Sequence, residues 1–320
     1  MSTAVEPRRL TTTPRLSDRV FRAIVTAGGL VSLAVLGMIT VFLYTKSHDV
    51  FSTFGWSFVK DVQWIPDDGA TMSTGHYGIG AMLVGTLLTS VLALVFGVPI
   101  AVGLALFLTQ YAPNWLRTPL TLLIDLMASI PSVVYGLWGF FVLMPHAVYW
   151  AKLLHKYLGW IPLFDVPAPI FDRSPFIAGL VLSIMIIPIV TAISREVFNQ
   201  APRDRIEAAY ALGATKWAAI RAVVLPHGKA GVIGGAMLGL GRALGETVAV
   251  YMVLNLAFDI NWHILQSAGG SVASLIVNKF GEATPFEIQG LMAAGLVLFM
   301  LTLMVNLLAD LIVRFTGKGA

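Results

Sequence analysis

No cysteine occurs anywhere in this chain, which removes disulfides and thiolate metal sites. Charge is scarce too: Asp, Glu, Lys and Arg make up 12% of the 320 residues, about half the share found in a soluble domain. The six histidines (His48, His76, His146, His155, His227, His263) are scattered without HxxxH or comparable spacing, and a metal site needs convergent ligands. There is no G-x-x-x-x-G-K-[ST] run, so nothing here cradles nucleotide phosphates. No catalytic constellation emerges either. These absences argue against a metal centre on this chain and against its hydrolysing ATP.

What is there is apolar length. Hydrophobic residues reach 57% and the mean hydropathy is +0.81, the profile of a polytopic membrane protein. The basic residues form no single patch, so the pI near 9.4 does not point to nucleic acid. Six segments are long enough to span, each with the roughly 20 residues that a bilayer requires. They are Ala23–Thr45, Ile79–Leu108 with Pro99 inside, Thr118–Met144 with Asp125 and Pro131, Ser174–Ser194 with Pro188, Val232–Phe258 and Ile288–Ala309. With the N-terminus inside, fourteen basic residues fall in segments 1–22, 109–117, 195–231 and 310–320, against six in the other loops. That asymmetry makes both ends cytoplasmic. The first apolar run is too long for a signal h-region and is expected to be an uncleaved helix. Residues 1–22 then form a cytoplasmic tail and residues 23–320 the transmembrane domain.

Within the fifth segment stand two opposite charges, Arg242 and Glu246. A charge at the bilayer centre is expensive and normally faces protein or water. At a spacing of four, both side chains share one helix face. Counted from Val232, Arg242 lies roughly 15 Å along the axis, near the midplane of a core about 30 Å thick. A guanidinium there suits a crossing anion. An ion pair that merely holds the helix in register is the competing explanation, and the residues alone leave both open. Gly231, Gly235 and Gly239, continued by Gly241 and Gly245, predict a close helix approach.

Further polar groups lie inside the expected third segment. Asp125 would repel an anion and is expected to pair with a cation or to be protonated by burial. Ser129 and Ser132, flanking Pro131, are candidates for touching substrate, since the proline frees a carbonyl. Asp310 and Arg314 form an expected boundary pair. Outside, Ala147–Leu158 alternates as an amphipathic interfacial helix. The aromatic and acidic run 54–68 is either a docking surface or a membrane-boundary girdle.

The loop between the fourth and fifth segments, NQAPRDRIEAAYALGATKWAAIRAVVLPHGKAG, has its own pattern: a helix opened by Pro202, a break at Gly213, and a second helix up to Leu225-Pro226. Such a long segment with internal structure is usually functional. Glu207 has Arg203 at i−4, the spacing of a surface salt bridge. The string Glu207-Ala208-Ala209, Gly213, Val223 and Leu225-Pro226 resembles the EAA motif of ABC-importer permeases, departing only in valine for isoleucine at Val223. Three further stretches, Val98-Pro99 to Leu106-Phe107-Leu108, Ile130 to Gly139 and Gly239 to Thr247, are similar to PstC-type permease subunits of high-affinity phosphate importers.

The resemblance implies an all-α, six-helix permease of the type I ABC importer (MetI-like) fold in a bacterial inner membrane. It implies a PstA-type second permease, a PstB-type ATPase dimer carrying ATP and Mg2+, and a PstS-type phosphate-binding protein as partners, beside membrane lipid and without nucleic acid. It implies that hairpin 201–226, with Glu207, Ala208, Ala209, Gly213, Leu225 and Pro226, sits in a groove of the ATPase. It also implies a part for Arg242 and Glu246 in phosphate passage. A permease for sulfate or molybdate, or a stand-alone secondary carrier, are the alternatives.

Overall fold

The computed structural model describes residues 16–69, 71 and 74–317, with side chains through residue 311. The elements are α1 (Leu16–Phe54), α2 (Ser57–Lys60), β1 (Trp64–Ile65), β2 (His76–Tyr77), α3 (Gly80–Leu106), α4 (Asn114–Ser129), α5 (Ser132–Trp138), α6 (Met144–Leu158), α7 (Pro175–Asn199), α8 (Arg203–Ala211), α9 (Lys216–Ala219), α10 (Leu225–Gly245), α11 (Val248–Val253), α12 (Val272–Phe280) and α13 (Pro285–Gly317). Wider π-helical turns at Phe107–Tyr111, Gly139–Leu143 and Ile220–Val224 extend α3, join α5 to α6, and join α9 to α10. Among the described residues, six stretches are long and apolar enough to cross a membrane: Leu16–Phe54, Gly80–Tyr111, Ser132–Leu158, Pro175–Asn199, Lys216–Gly245 and Pro285–Leu311.

Three expectations change. The helix of the first span already covers residues 16–22, assigned above to the tail, while residues 1–15 lie outside the described residues. The third span is Ser132–Leu158, not Thr118–Met144. Pro131 cannot donate to a helix and pushes its predecessor out of the α region; Ile130 is extended at ψ 129°, so α4 stops at Ser129. The expected interfacial helix 147–158 is therefore the far end of that span. The fifth span begins at Lys216 and ends at Gly245 rather than running from Val232 to Phe258.

The centre of the bundle is α7. Its first two-thirds is buried almost all round, including Ile177, Leu182 and Ile186. α3 lies along one side, where Gly179 faces Leu92 and Gly97 faces Ile186, and Thr191 Oγ1 donates to Ala101 O at 3.3 Å. α10 lies along another: Gly228, Gly231, Gly235 and Gly239 meet Phe198, Val197, Ile193 and Val190 in turn. An added Cβ at Gly231 would come within 2.3 Å of Val197. The four-residue glycine repeat is thus a packing seam, and it ends at Gly239, since Gly245 has open space around it.

α1 is apolar and exposed on nearly every side until Ser47 and Val50, as a lipid-facing helix is. Its end stands against a second core formed by Phe58, Trp64, Tyr77, Ile79, Met82, Leu275 and Leu291. This core caps the bundle at the end where α7 begins. There β1 and β2 pair antiparallel, Trp64 opposite Tyr77.

Candidate translocation path and coupling hairpin

α8 buries no residue at all. It closes on a Schellman motif: Ala214 N donates to Ala209 O at 3.0 Å and Gly213 N to Tyr210 O at 2.9 Å. Gly213 has φ +81° and empty space where a Cβ would be, so glycine is required by conformation rather than by crowding. Thr215 then caps α9 by accepting from Ala218 N at 3.3 Å. Leu212 (90% exposed), Trp217 and Tyr210 project into solvent. Glu207 and Ala208 are exposed and Ala209 is half-buried. The Arg203–Glu207 salt bridge does not form within 4 Å among the described residues.

The hairpin is rooted by Phe198, Ala201, Ile220 and Val224 around Ala105. Beyond this root the chain does not stop at Leu225-Pro226. Pro226 cannot donate, and the π-helical turn Ile220–Val224 just before it provides the wider ring that lets the helix continue past it. Lys216 to Gly245 is one 30-residue helix, roughly 45 Å long. It joins the hairpin to the level of the middle of α7, where Gly239 packs on Val190 and Ile186.

Arg242 sits in the last turn of α10, half-buried. Gly239, one turn earlier, packs on Val190 and Ile186, which places Arg242 within roughly a turn of the midpoint of α7. The expected shared face with Glu246 is lost, because the helix ends between them. Glu246 is extended (φ −70°, ψ 127°) at the C-cap. Its buried carboxylate turns forward, and Oε1 accepts from Ala249 N at 3.2 Å in the first turn of α11. A carboxylate there satisfies an orphan amide and the positive end of the helix. No ion pair within 4 Å joins Arg242 to Glu246 among the described residues. Irregular backbone at membrane depth is tolerated where it is buried in protein or lines a wet cavity, and Thr247 and Glu246 form such a break.

A second break faces it. α5 crosses α11 so closely that an added Cβ at Gly136 would lie 2.9 Å from the Ala249 Cα. Tyr135, buried in α5, donates to Met127 O at 2.7 Å, clamping α5 against the end of α4. Ser132 is half-buried in the first turn of α5, and Ser129 is exposed, its hydroxyl donating to Leu126 O at 2.7 Å. Asp125 lies elsewhere. It is exposed on α4 and faces Arg195 Nη2 at 3.9 Å. Measured along α7, Arg195 and Asp125 stand roughly 15 Å from the level of Arg242. Arg195 and the Arg117–Asn199 hydrogen bond (3.0 Å) that help hold α4 on α7 escaped the sequence reading, because their partners come from separate helices. Arg314 has its side chain outside the described residues, so its pairing with Asp310 is undescribed.

The cap holds a polar network that sequence also missed. Trp64 Nε1 donates to Glu287 Oε1 at 2.7 Å, both residues buried. The Asp67 carboxylate accepts from the Tyr77 hydroxyl, from Thr284 Oγ1 at 2.7 Å and from Gly69 N at 2.7 Å. Burial pushes the Asp67 carboxyl up, but the hydrogen bonds from Tyr77, Thr284 and Gly69 outweigh it and leave it below the ordinary 3.8. Burial, and then Asp67 itself, push the Tyr77 hydroxyl well above its ordinary value. Within the aromatic and acidic run 54–68, Phe58, Trp64 and Asp67 are taken up by this internal packing, while Trp56 and Ile65 are exposed.

Helices broken at membrane depth, with their half-helix ends turned toward one another, are a device of transport proteins. This chain belongs to the family of binding-protein-dependent transport system inner membrane components, which it matches over residues 97–318. It is a multi-pass inner-membrane permease subunit. Among its relatives, the phosphate transport system permease protein PstC of Pasteurella multocida is 42% identical over 290 residues, 89% of this chain and 88% of the relative. PstC 2 of Mycobacterium tuberculosis is 41% identical over 91% of this chain and 90% of its own. PstC of Haemophilus influenzae is 39% identical over 92% and 93%. In fold, a bacterial ABC transporter involved in import of the acidic polysaccharide alginate superposes with a TM-score of 0.53 at 18% identity, covering 92% of this chain and 98% of that one.

Proposed function

We propose that this chain forms half of the membrane path of an ATP-driven importer of inorganic phosphate. The observation that carries the proposal is the single helix running from the coupling hairpin to Arg242. A guanidinium at the end of that helix offers up to five N–H donors, and charge-assisted bonds to phosphate oxygens are strong where water is excluded. Glu246, turned to Ala249 N, leaves Arg242 unopposed and shapes the break. The hairpin, with Glu207, Ala208, Ala209 and Gly213 at its tip and Leu225 and Pro226 at its root, docks an ATPase dimer that holds ATP and Mg2+. Movement there is transmitted along α9 and α10 to Arg242. Ser129 and Ser132 flank the facing break, where Ser132 supplies a neutral donor while the Ser129 hydroxyl is spent on Leu126 O, and Asp125 holds α4 through Arg195.

The remaining partners are a second, PstA-type permease and a PstS-type phosphate-binding protein on the side of the Trp64–Glu287 cap. Both chain ends are cytoplasmic. The test is ATP-dependent uptake of labelled phosphate by the reconstituted complex, challenged with sulfate, for native protein and Arg242→Lys. Lysine keeps the charge and loses the planar fork, so uptake is expected to fall and discrimination against sulfate to weaken. Uptake of sulfate in preference to phosphate by the native complex would overturn the substrate assignment.

A further inference from the structure

At the end of the bundle where α7 begins, away from the coupling hairpin, lies a cavity of about 370 Å³. Leu137 and Phe140 wall it on one side, Tyr251 and Asn255 on another, with Arg173 and Asn278 completing the rim. No carboxylate lines it. α11 connects it to the Glu246 break, a rise of roughly 9 Å over six residues.

Arg173 is held there at a conformational cost. Its φ of 44° makes it the one non-glycine residue with positive φ among the described residues, and strain of that kind persists where the surroundings enforce it. The enforcement is visible: Asn255 N donates to Arg173 O at 3.0 Å, and the guanidinium carbon lies 5.1 Å from the Phe140 ring centroid. The guanidinium N–H groups make no hydrogen bond, and no carboxylate approaches them within 4 Å, among the described residues. The side-chain amides of Asn255 and Asn278 have no protein hydrogen-bond partner among those residues, although both line the same space. A stacked cation, two unengaged amides and an absence of acidic groups match a tetrahedral oxyanion.

We propose that this cavity is a loading site for the transported oxyanion, occupied before the anion reaches Arg242. The inference rests on the function proposed above, since it places a second station on the same route. Arg173 binds the anion through its fork, Asn255 and Asn278 donate to the remaining oxygens, and α11 leads from the cavity to the Glu246 break.

The absence of native cysteine gives a direct test in the complete transporter. Leu137→Cys, in the cavity wall, would be the sole thiol of this chain, and its modification by a methanethiosulfonate reagent can be timed with and without inorganic phosphate, chloride serving as the ionic-strength control. Phosphate is expected to slow modification when Arg173 is intact and to have no effect in the Arg173→Gln background. In parallel, Arg173→Gln is expected to lower uptake at sub-saturating phosphate roughly tenfold, the loss of one charge-assisted contact, with Arg173→Lys between the two. Equal labelling rates with and without phosphate would overturn the loading site, as would unchanged uptake in Arg173→Gln. If that variant fails to assemble with its ATPase, the labelling of Leu137→Cys with Arg173 intact decides the matter. A native complex that carries sulfate instead would refute the phosphate assignment, and the same two assays with sulfate would then judge the site.

Discussion

The cap and the coupling hairpin, at opposite ends of α7, satisfy their groups in opposite ways. In the cap, Trp64, Asp67, Tyr77 and Glu287 are buried; Trp64 bonds to Glu287 and Asp67 to Thr284 across more than two hundred residues of sequence, and Tyr77 closes locally on Asp67. The hairpin has no buried residue in α8 and leaves Leu212, Tyr210 and Trp217 in solvent. The first region is satisfied within the chain, and the second, on the function proposed above, is completed by a partner. Stability and coupling are therefore separable in this protein: damage to the cap should appear as unfolding, and damage to the hairpin as loss of a bound subunit.

The same substitution in the two regions gives the sharpest contrast. In Gly85→Ala, the new Cβ would meet the Gly270 carbonyl oxygen at 2.0 Å, a backbone clash that should destabilise the detergent-purified protein by about 3 kcal/mol, read as a lowered thermal midpoint. Glu287→Leu should follow at about 2 kcal/mol, because the Trp64 N–H is left buried without an acceptor, while the ATPase still co-purifies. Gly213→Ala has open space and should strain the turn by only about 1 kcal/mol. Its thermal midpoint should barely move, but co-purification of the ATPase should weaken. A fall in midpoint as large as that of Gly85→Ala would erase the contrast.

The smallest effect concerns pH. Asp67 is held below its ordinary 3.8 in the folded cap, so its contribution is fully present above that value and is lost as pH falls through the lowered one. Thermal midpoints measured from neutral to strongly acidic pH should decline less steeply in Asp67→Asn than in the native protein. Parallel curves would show that the carboxylate does not anchor the cap.

Much of this fold was legible because its signals are local. Apolar runs give spans, and the glycines at 231, 235 and 239 announce a seam that the structure pairs with Val197, Ile193 and Val190. Gly213 announced its own turn. The breaks were not legible in the same way. Hydropathy carries on through Glu246 and Thr247 into Val248–Phe258, so the end of α10 leaves no mark in composition; what ends it is Glu246 turning to cap α11. Pro131 was visible, but whether a proline kinks or ends a membrane helix depends on packing, here the clamp of Tyr135 on Met127. Arg173 could not have been singled out, since its φ and its stacking on Phe140 arise from tertiary contacts.

On the proposed function, Arg242 serves the anion and the hairpin serves the ATPase, with one helix between them. Reconstituted Arg242→Gln, assayed for ATPase co-purification and for ATP-dependent phosphate uptake on the same preparation, tests it most directly. Full retention of the ATPase with uptake reduced a hundredfold or more, roughly the 3 kcal/mol of a buried charge-assisted contact, is the predicted result. Native-rate uptake by a fully assembled Arg242→Gln complex would contradict it.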